Sequence, residues 1–195
     1  MTKTLVVNLL GGPNTGKTTT GLGIAAELGF RGYRIEFLPE FVKGAVWGER
    51  NDVLTDQRYI FAKQNNLLKR LIGKVYVVIN DGSLIHSCAY VSGNEFKSFE
   101  KDVVQVFLQY NNYNIYFNRR FDIPFDPVGR YQKSHAEGLK TDSKVLKILK
   151  KNNISYKIIQ TEQSLVSEIA DIIEAKIIEL NPCLVQEKNS VMLNS

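Results

Sequence analysis

The chain has 195 residues, 44% of them hydrophobic and 23% charged, with a formal net charge of +5. That is enough for one α/β domain whose core needs neither disulfides nor a structural metal. No apolar run approaches the roughly 20 residues of a membrane-spanning helix. The opening Met1-Thr2-Lys3-Thr4 reads as too short and wrongly flanked for a secretion signal. Cys88 and Cys183 are far apart with no metal-ligand spacing, so both are expected to be buried or inert thiols in a reducing, cytoplasmic setting.

The pattern alternates strands and helices. Leu5–Leu10 is a continuous apolar run, as in a parallel strand buried on both faces. Gly11-Gly12-Pro13-Asn14-Thr15-Gly16-Lys17-Thr18 follows and satisfies G-x-x-x-x-G-K-[ST], with a helix predicted over Thr18–Phe30. Glycines let the backbone curl so that its N–H groups face phosphate oxygens, and the helix adds its positive end. Gly12, Pro13, Asn14, Thr15, Gly16, Lys17, Thr18 and Thr19 are therefore the expected cradle for ATP or a related triphosphate. Lys17 should reach the β- and γ-phosphates, and the Thr18 hydroxyl should ligate Mg²⁺.

Tyr33–Pro39 reads as a second strand, closed by Glu40, a candidate to bind and deprotonate an acceptor hydroxyl or else an exposed loop carboxylate. A helix over Thr55–Ile72 carries Ile60, Gln64, Leu67 and Leu71 on one face, which turns Gln64 inward. There its amide needs a partner, either a bound base or sugar or the protein backbone. Val75–Asn80 is the third strand and delivers Asp81 beside the phosphate loop, as a support for Mg²⁺ or as a cap of the helix Ser83–Tyr90. Phe41, Trp47, Tyr90 and Tyr131 are aromatic groups able to stack on a ring or to pack in the core. His86 and His135 read as structural or solvent-facing.

A helix over Phe96–Tyr110 leads to the fourth strand, Tyr113–Asn118. Beyond it, Arg119, Arg120 and Arg130 sit in a stretch with two prolines and a glycine. That composition suits a lid, about 119–140, bringing guanidinium groups to the transferring phosphoryl, or a surface loop with solvated arginines. Helix Thr141–Lys151, strand Ser155–Gln160 and helix Glu162–Leu180 complete the pattern. Lys140, Lys144, Lys147, Lys150, Lys151 and Lys157 either meet a polyanion or form a solvated face. Strand–helix alternation implies right-handed crossovers and a three-layer domain with a five-stranded parallel sheet over 1–181. Residues 182–195 lose periodicity and read as a flexible tail.

With the phosphate loop, Glu40, Asp81 and the arginine stretch in this order, the chain resembles the small P-loop kinases. Among these it is similar to the ribosylnicotinamide-kinase-like family, including AAA-type relatives from bacteriophages. The resemblance spans most of residues 1–175 and rests on Gly12-Pro13 through Thr18, Pro39-Glu40-Phe41 and Phe61-Ala62-Lys63-Gln64. Two segments depart from it: Phe41-Val42-Lys43 lacks a frequent arginine, and Asp81-Gly82-Ser83 replaces an acidic-Thr-type segment. A second likeness is to phage kinases that phosphorylate hydroxymethylpyrimidines in DNA.

The resemblance implies an ATP- and Mg²⁺-dependent kinase acting on a hydroxyl of a nucleoside-like acceptor, free or within DNA. Lys17, Glu40, Asp81, Arg119, Arg120 and Arg130 would be catalytic, Glu40, Phe41 and Gln64 would face the acceptor, and Thr18 and Asp81 the metal. A nucleoside monophosphate kinase would instead need an arginine cluster such as Arg50, Arg58 and Arg70. A regulatory or motor-type ATPase is the other class, and no sensor arginine or second helical region speaks for it. Membrane contact is not expected. Oligomeric state and the choice between ATP and GTP stay open.

Overall fold

The computed structural model describes residues 2–91, 98–132 and 134–184. The strands are β1 (Leu5–Leu10), β2 (Ile35–Leu38), β3 (Val77–Asn80), β4 (Asn111–Asn118) and β5 (Lys157–Gln160). They form one sheet in the order β2-β3-β1-β4-β5, and every pair is parallel. The chain leaves β1 toward one edge, returns through β3, then crosses to the other edge through β4. The reversal falls beside β1, so the loop after β1 sits where ligands bind in open parallel sheets.

Helices cover both faces. Helix α1 (Lys17–Phe30) and helix α8 (Leu165–Leu180) pack on one side. There Leu5, Val7 and Leu9 of β1 meet Ile24, Leu28, Ile169, Ile173 and Ile177, all buried. The opposite layer holds α4 (Gln57–Lys69), α5 (Ile85–Tyr90), α6 (Phe99–Phe107) and α7 (His135–Lys151). Val6 packs there with Leu68 under α4, and Leu10 packs with Ile85, Phe107 and Leu149. Each such side chain contributes about 1.5–3 kcal/mol by leaving water. Among the described residues no helix is long and apolar enough to cross a membrane.

All five expected strands are present, several with shifted ends. Two short helices, α2 (Phe41–Trp47) and α3 (Asn51–Thr55), lie where no element was predicted. The helix expected over Thr55–Ile72 starts at Gln57, because the Asp56 side chain caps it by accepting from the Tyr59 N–H at 2.9 Å. Helix α7 starts at His135 rather than Thr141, with Ser134 as its cap. The stretch read as a lid is therefore irregular only over 119–132, and His135–Lys140 belong to a helix. The predicted first residue of α6, Phe96, and most of the predicted tail lie outside the described residues. Cys183 is exposed rather than buried, whereas Cys88 is half-buried and burial pushes its thiol up to about 12.

Candidate active site

The loop after β1 turns through Gly11 (φ 128) and Gly16 (φ 84), backbone conformations that favour glycine. Gly16 opens α1, and Thr161 at the end of β5 braces it, its hydroxyl donating to the Thr15 carbonyl at 2.6 Å. Lys17 folds back so that Nζ donates to the Gly12 carbonyl at 2.6 Å. Burial lowers the Lys17 pKa, and the nearby carboxylates of Asp81, Glu40 and Asp142 oppose that shift. The Thr18 hydroxyl donates to Asp81 Oδ2 at 2.6 Å, which places the β3 carboxylate against the first turn of α1.

Asp81 Oδ1 is buried and has no hydrogen-bond partner. An orphaned carboxylate oxygen beside a threonine hydroxyl suits Mg²⁺, which keeps waters and substrate phosphates as its other ligands. Among the described residues no group of three or more His, Cys, Asp or Glu side chains is arranged to hold a metal without such help. The donor set present fits Mg²⁺ carried in with a triphosphate.

These groups line one pocket of about 520 Å³, within the usual range for small-molecule sites. From the phosphate loop it takes Pro13, Asn14, Thr15, Gly16, Lys17, Thr18 and Thr19. Glu40, Phe41, Gln64, Asp81 and Arg130 line it as well. Sequence reasoning named all of these, and the fold brings them together from β1, β2, α4, β3 and the irregular stretch. The far wall is apolar, with Val42, Val46, Leu54, Ile60 and Ile123.

Glu40 caps α2 with its backbone alone. Part of its surface opens on the pocket, yet it sits low among protein atoms where its charge is poorly solvated. Burial first, and then the Asp81 carboxylate, raise its pKa to about 7, while Lys17, Lys43 and Arg130 pull the other way. A carboxyl poised near neutrality is suited to taking a proton. His86 also faces this region. It is buried, and burial and then Lys17 hold its pKa down at about 3, with the Gly11 backbone pulling the other way. It stays neutral at physiological pH.

Three predicted residues fall elsewhere. Gly12 does not line the pocket; its N–H donates to Asp142 Oδ1 at 2.5 Å. Arg119 lies behind it, buried, with Nε donating to Asp142 Oδ2 at 2.7 Å and its guanidinium packed against Gly138. Arg120 points to the surface, paired with Asp122 and donating to the Thr161 carbonyl at 3.1 Å. Of the three arginines only Arg130 reaches the pocket, where Nη2 donates to Asn14 Oδ1 at 3.2 Å. Asn14 also donates to the Pro124 carbonyl at 3.2 Å, so the irregular stretch is tied to the tip of the phosphate loop.

Gln64 meets protein rather than leaving its amide free: Oε1 accepts from the Phe41 N–H at 2.9 Å. Phe41, Tyr90 and Tyr131 line the pocket, while Trp47 packs on Gly129. Arg50 pairs with Asp52 on the surface, and Arg58 and Arg70 do not line the site. Lys151 and Lys157 pair with Glu100 and Glu168. Asp142 and Thr161 were missed, since a lone Asp in a lysine-rich helix and a Thr after a strand carry no signal of their own.

The sheet order, the strand–loop–helix phosphate cradle and the β3 carboxylate define a P-loop protein with the kinase architecture. A family model described as "AAA domain" (AAA_28) matches residues 6–164, and the chain belongs to that family. No curated protein matches the chain significantly. Among solved structures, the chain is similar to a deoxyadenosine kinase from M. mycoides with bound dATP. That match has a TM-score of 0.56 and 15% identity and covers 88% of this chain and 98% of that one. A thymidylate kinase from Ehrlichia chaffeensis matches with a TM-score of 0.54 and 16% identity, covering 88% of this chain and 99% of that one. At this identity the likeness shows the fold.

Proposed function

We propose that this chain is an ATP-dependent kinase that transfers the γ-phosphoryl group to a hydroxyl of a free nucleoside-like acceptor. The observation that carries the reading is the Glu40 carboxyl, raised to about 7, in one pocket with Lys17, Thr18 and Asp81. The same pocket is also lined by Val42, Val46, Leu54, Ile60 and Ile123, apolar groups that the phosphates of ATP do not need and that suit a ring-bearing acceptor. The printed activities of the structural relatives, a deoxyadenosine kinase and a thymidylate kinase, support the same class of acceptor.

In this reading the triphosphate lies in the loop of residues 13–19. Lys17 leaves the Gly12 carbonyl for the β- and γ-phosphates, exchanging a neutral acceptor for an anionic one. Thr18 and Asp81 would hold Mg²⁺, which would supply positive charge to the triphosphate. Glu40 takes the proton of the acceptor hydroxyl as its oxygen bonds to the γ-phosphorus. The bond from that phosphorus to the β–γ bridging oxygen breaks, and ADP leaves. Arg130 adds positive charge at the mouth, next to Asn14.

A nucleoside monophosphate is the second reading, favoured by Lys43 and Arg130, cations that line the same pocket and whose charges act on Glu40. The test is to incubate the protein with γ-labelled ATP and, separately, nucleosides, nucleoside monophosphates, and plain or hydroxymethylated DNA. Label on a nucleoside is the expected result. Label on a monophosphate favours the second reading, label on hydroxymethylated DNA moves the acceptor into a polymer, and label released only as phosphate ends the kinase reading.

A further inference from the structure

We propose that Gln64 is a positioning residue that fixes the place of the Glu40 carboxyl, and that a row of asparagines across the sheet holds Gln64 in turn. The proposal rests on Glu40 being the base.

The row begins in the sheet register. Asn8 on β1 stands opposite Asn80 on β3 and opposite Asn114 on β4. These residues and Gln64 are all buried. Four amides in the seam between two apolar clusters would each be costly if unpaired. They pair head to tail. Asn114 donates to the Ser155 carbonyl at 3.0 Å, and Asn112 donates to the Phe107 carbonyl at 2.6 Å. Their side-chain oxygens then accept from Asn8 Nδ2 at 3.0 and 2.8 Å. Asn8 Oδ1 accepts from Asn80 Nδ2 at 3.0 Å, and Asn80 Oδ1 accepts from Gln64 Nε2 at 3.2 Å.

Gln64 ends the row on the backbone around Glu40. Its Oε1 accepts from the Phe41 N–H at 2.9 Å, and its Nε2 donates to the Pro39 carbonyl at 3.3 Å. One side chain thus pins the peptide groups on either side of Glu40, extending the sheet's hydrogen bonding beyond Leu38. Backbone carbonyls at one end and a backbone N–H at the other dictate the orientation of every amide between them. A flip anywhere would set donor against donor. Both hydrogens of the Gln64 amide are committed, which leaves none to read an acceptor base.

Gly82 makes the arrangement possible. A Cβ there would lie 2.8 Å from Gln64 Cδ and Nε2 and 2.9 Å from Glu40 Cα. Any larger residue at this position would push the glutamine and the base apart.

The test uses Gln64→Met, which removes the amide at similar length, and Gly82→Ala, which keeps every polar group and adds only the methyl. Deoxyadenosine and thymidine serve as acceptors, and amide hydrogen exchange is read by NMR on the full chain. Both variants should lose ~10–100-fold in kcat, the scale expected for a misplaced catalytic group. The KM for ATP should stay unchanged, since the phosphate loop lies outside the row. Exchange at the Phe41 N–H should quicken ~10-fold, as expected when one bond of this kind is lost, while Val7 stays protected in the core. A loss confined to KM for the nucleoside would make Gln64 an acceptor contact and overturn the proposal. Unchanged Phe41 exchange in both variants would overturn it too. That second measurement needs no turnover, so a wild-type protein that phosphorylates neither nucleoside would rule out these two acceptors and still leave the positioning claim decided.

Discussion

The two walls of the pocket are built in different ways. The phosphate wall is nearly one stretch of chain, residues 13–19, curled between β1 and α1. The remaining lining, which the proposed function gives to the acceptor, is gathered from α2, α3, α4, the loop after β3, α5 and the irregular stretch before α7. A site made from contiguous residues has its geometry encoded locally, by glycines and a helix start. One assembled from distant segments depends on the packing that brings them together, and so on residues that never touch a ligand. Both walls are braced by polar side chains: buried Asp142 and half-buried Thr161 hold the phosphate loop, and buried Gln64 holds the backbone around Glu40.

The sharpest way to break this contrast is at Lys17. Its side chain bonds only within its own loop, to Gly12 and Thr15, so Lys17→Ala should abolish transfer, by at least ~10²–10³-fold, and leave the melting temperature near that of wild type. Undiminished turnover by the folded variant would remove the phosphate wall from the account.

Asp142 tests whether the bracing is structural. Its carboxylate neutralises the buried Arg119 and accepts the Gly12 N–H. Removing one partner of a buried ion pair costs about 3–5 kcal/mol, and Arg119→Met or Asp142→Asn should show a loss of that size in urea unfolding. A loss of kcat with full stability would instead mean that Arg119 reaches the phosphoryl group.

Arg120 marks the small end of the scale. It pairs with Asp122 at the surface, where water screens an ion pair and leaves it little weight. Arg120→Gln should change kcat less than ~3-fold, as expected for a screened surface contact. A large loss would show that the irregular stretch turns over to deliver Arg120 during turnover.

The same contrast explains what the sequence made legible. The strands, α1, the motif at 11–18 and Asp81 followed from local pattern, and the fold matches them. Helix α2 escaped because Gly44 and the β-branched Val42 and Val46 weaken its helical signal. The early start of α7 was legible in Ser134-x-x-Glu137, a capping box whose Ser134 hydroxyl accepts from the Glu137 N–H at 3.3 Å. The arginines of the supposed lid were read as one group because they are neighbours in sequence. Their different fates depend on Asp142 and Asn14, which only the fold brings near, and on Asp122, a sequence neighbour of Arg120. Asn8 and Asn80 are polar residues in strands read only as apolar runs, and their pairing needs the sheet order.

The most direct measurement of the central claim is the pH dependence of kcat/KM for wild type and Glu40→Gln, since kcat/KM reports the groups of the free enzyme. The Glu40 carboxyl must be ionised to accept a proton, so wild-type kcat/KM should rise with pH and reach half its plateau at about 7. Glu40→Gln should lose ~10²–10⁴-fold in kcat and show no such limb. Because the folded-state pKa lies above the ordinary value of 4.5, ionising Glu40 costs stability as pH rises from 4.5 to about 7. The same variant should therefore melt higher than wild type at pH 8 and show no such gain at pH 4. A wild-type limb near 4.5, or a limb near 7 that survives in Glu40→Gln, would contradict Glu40 as the base.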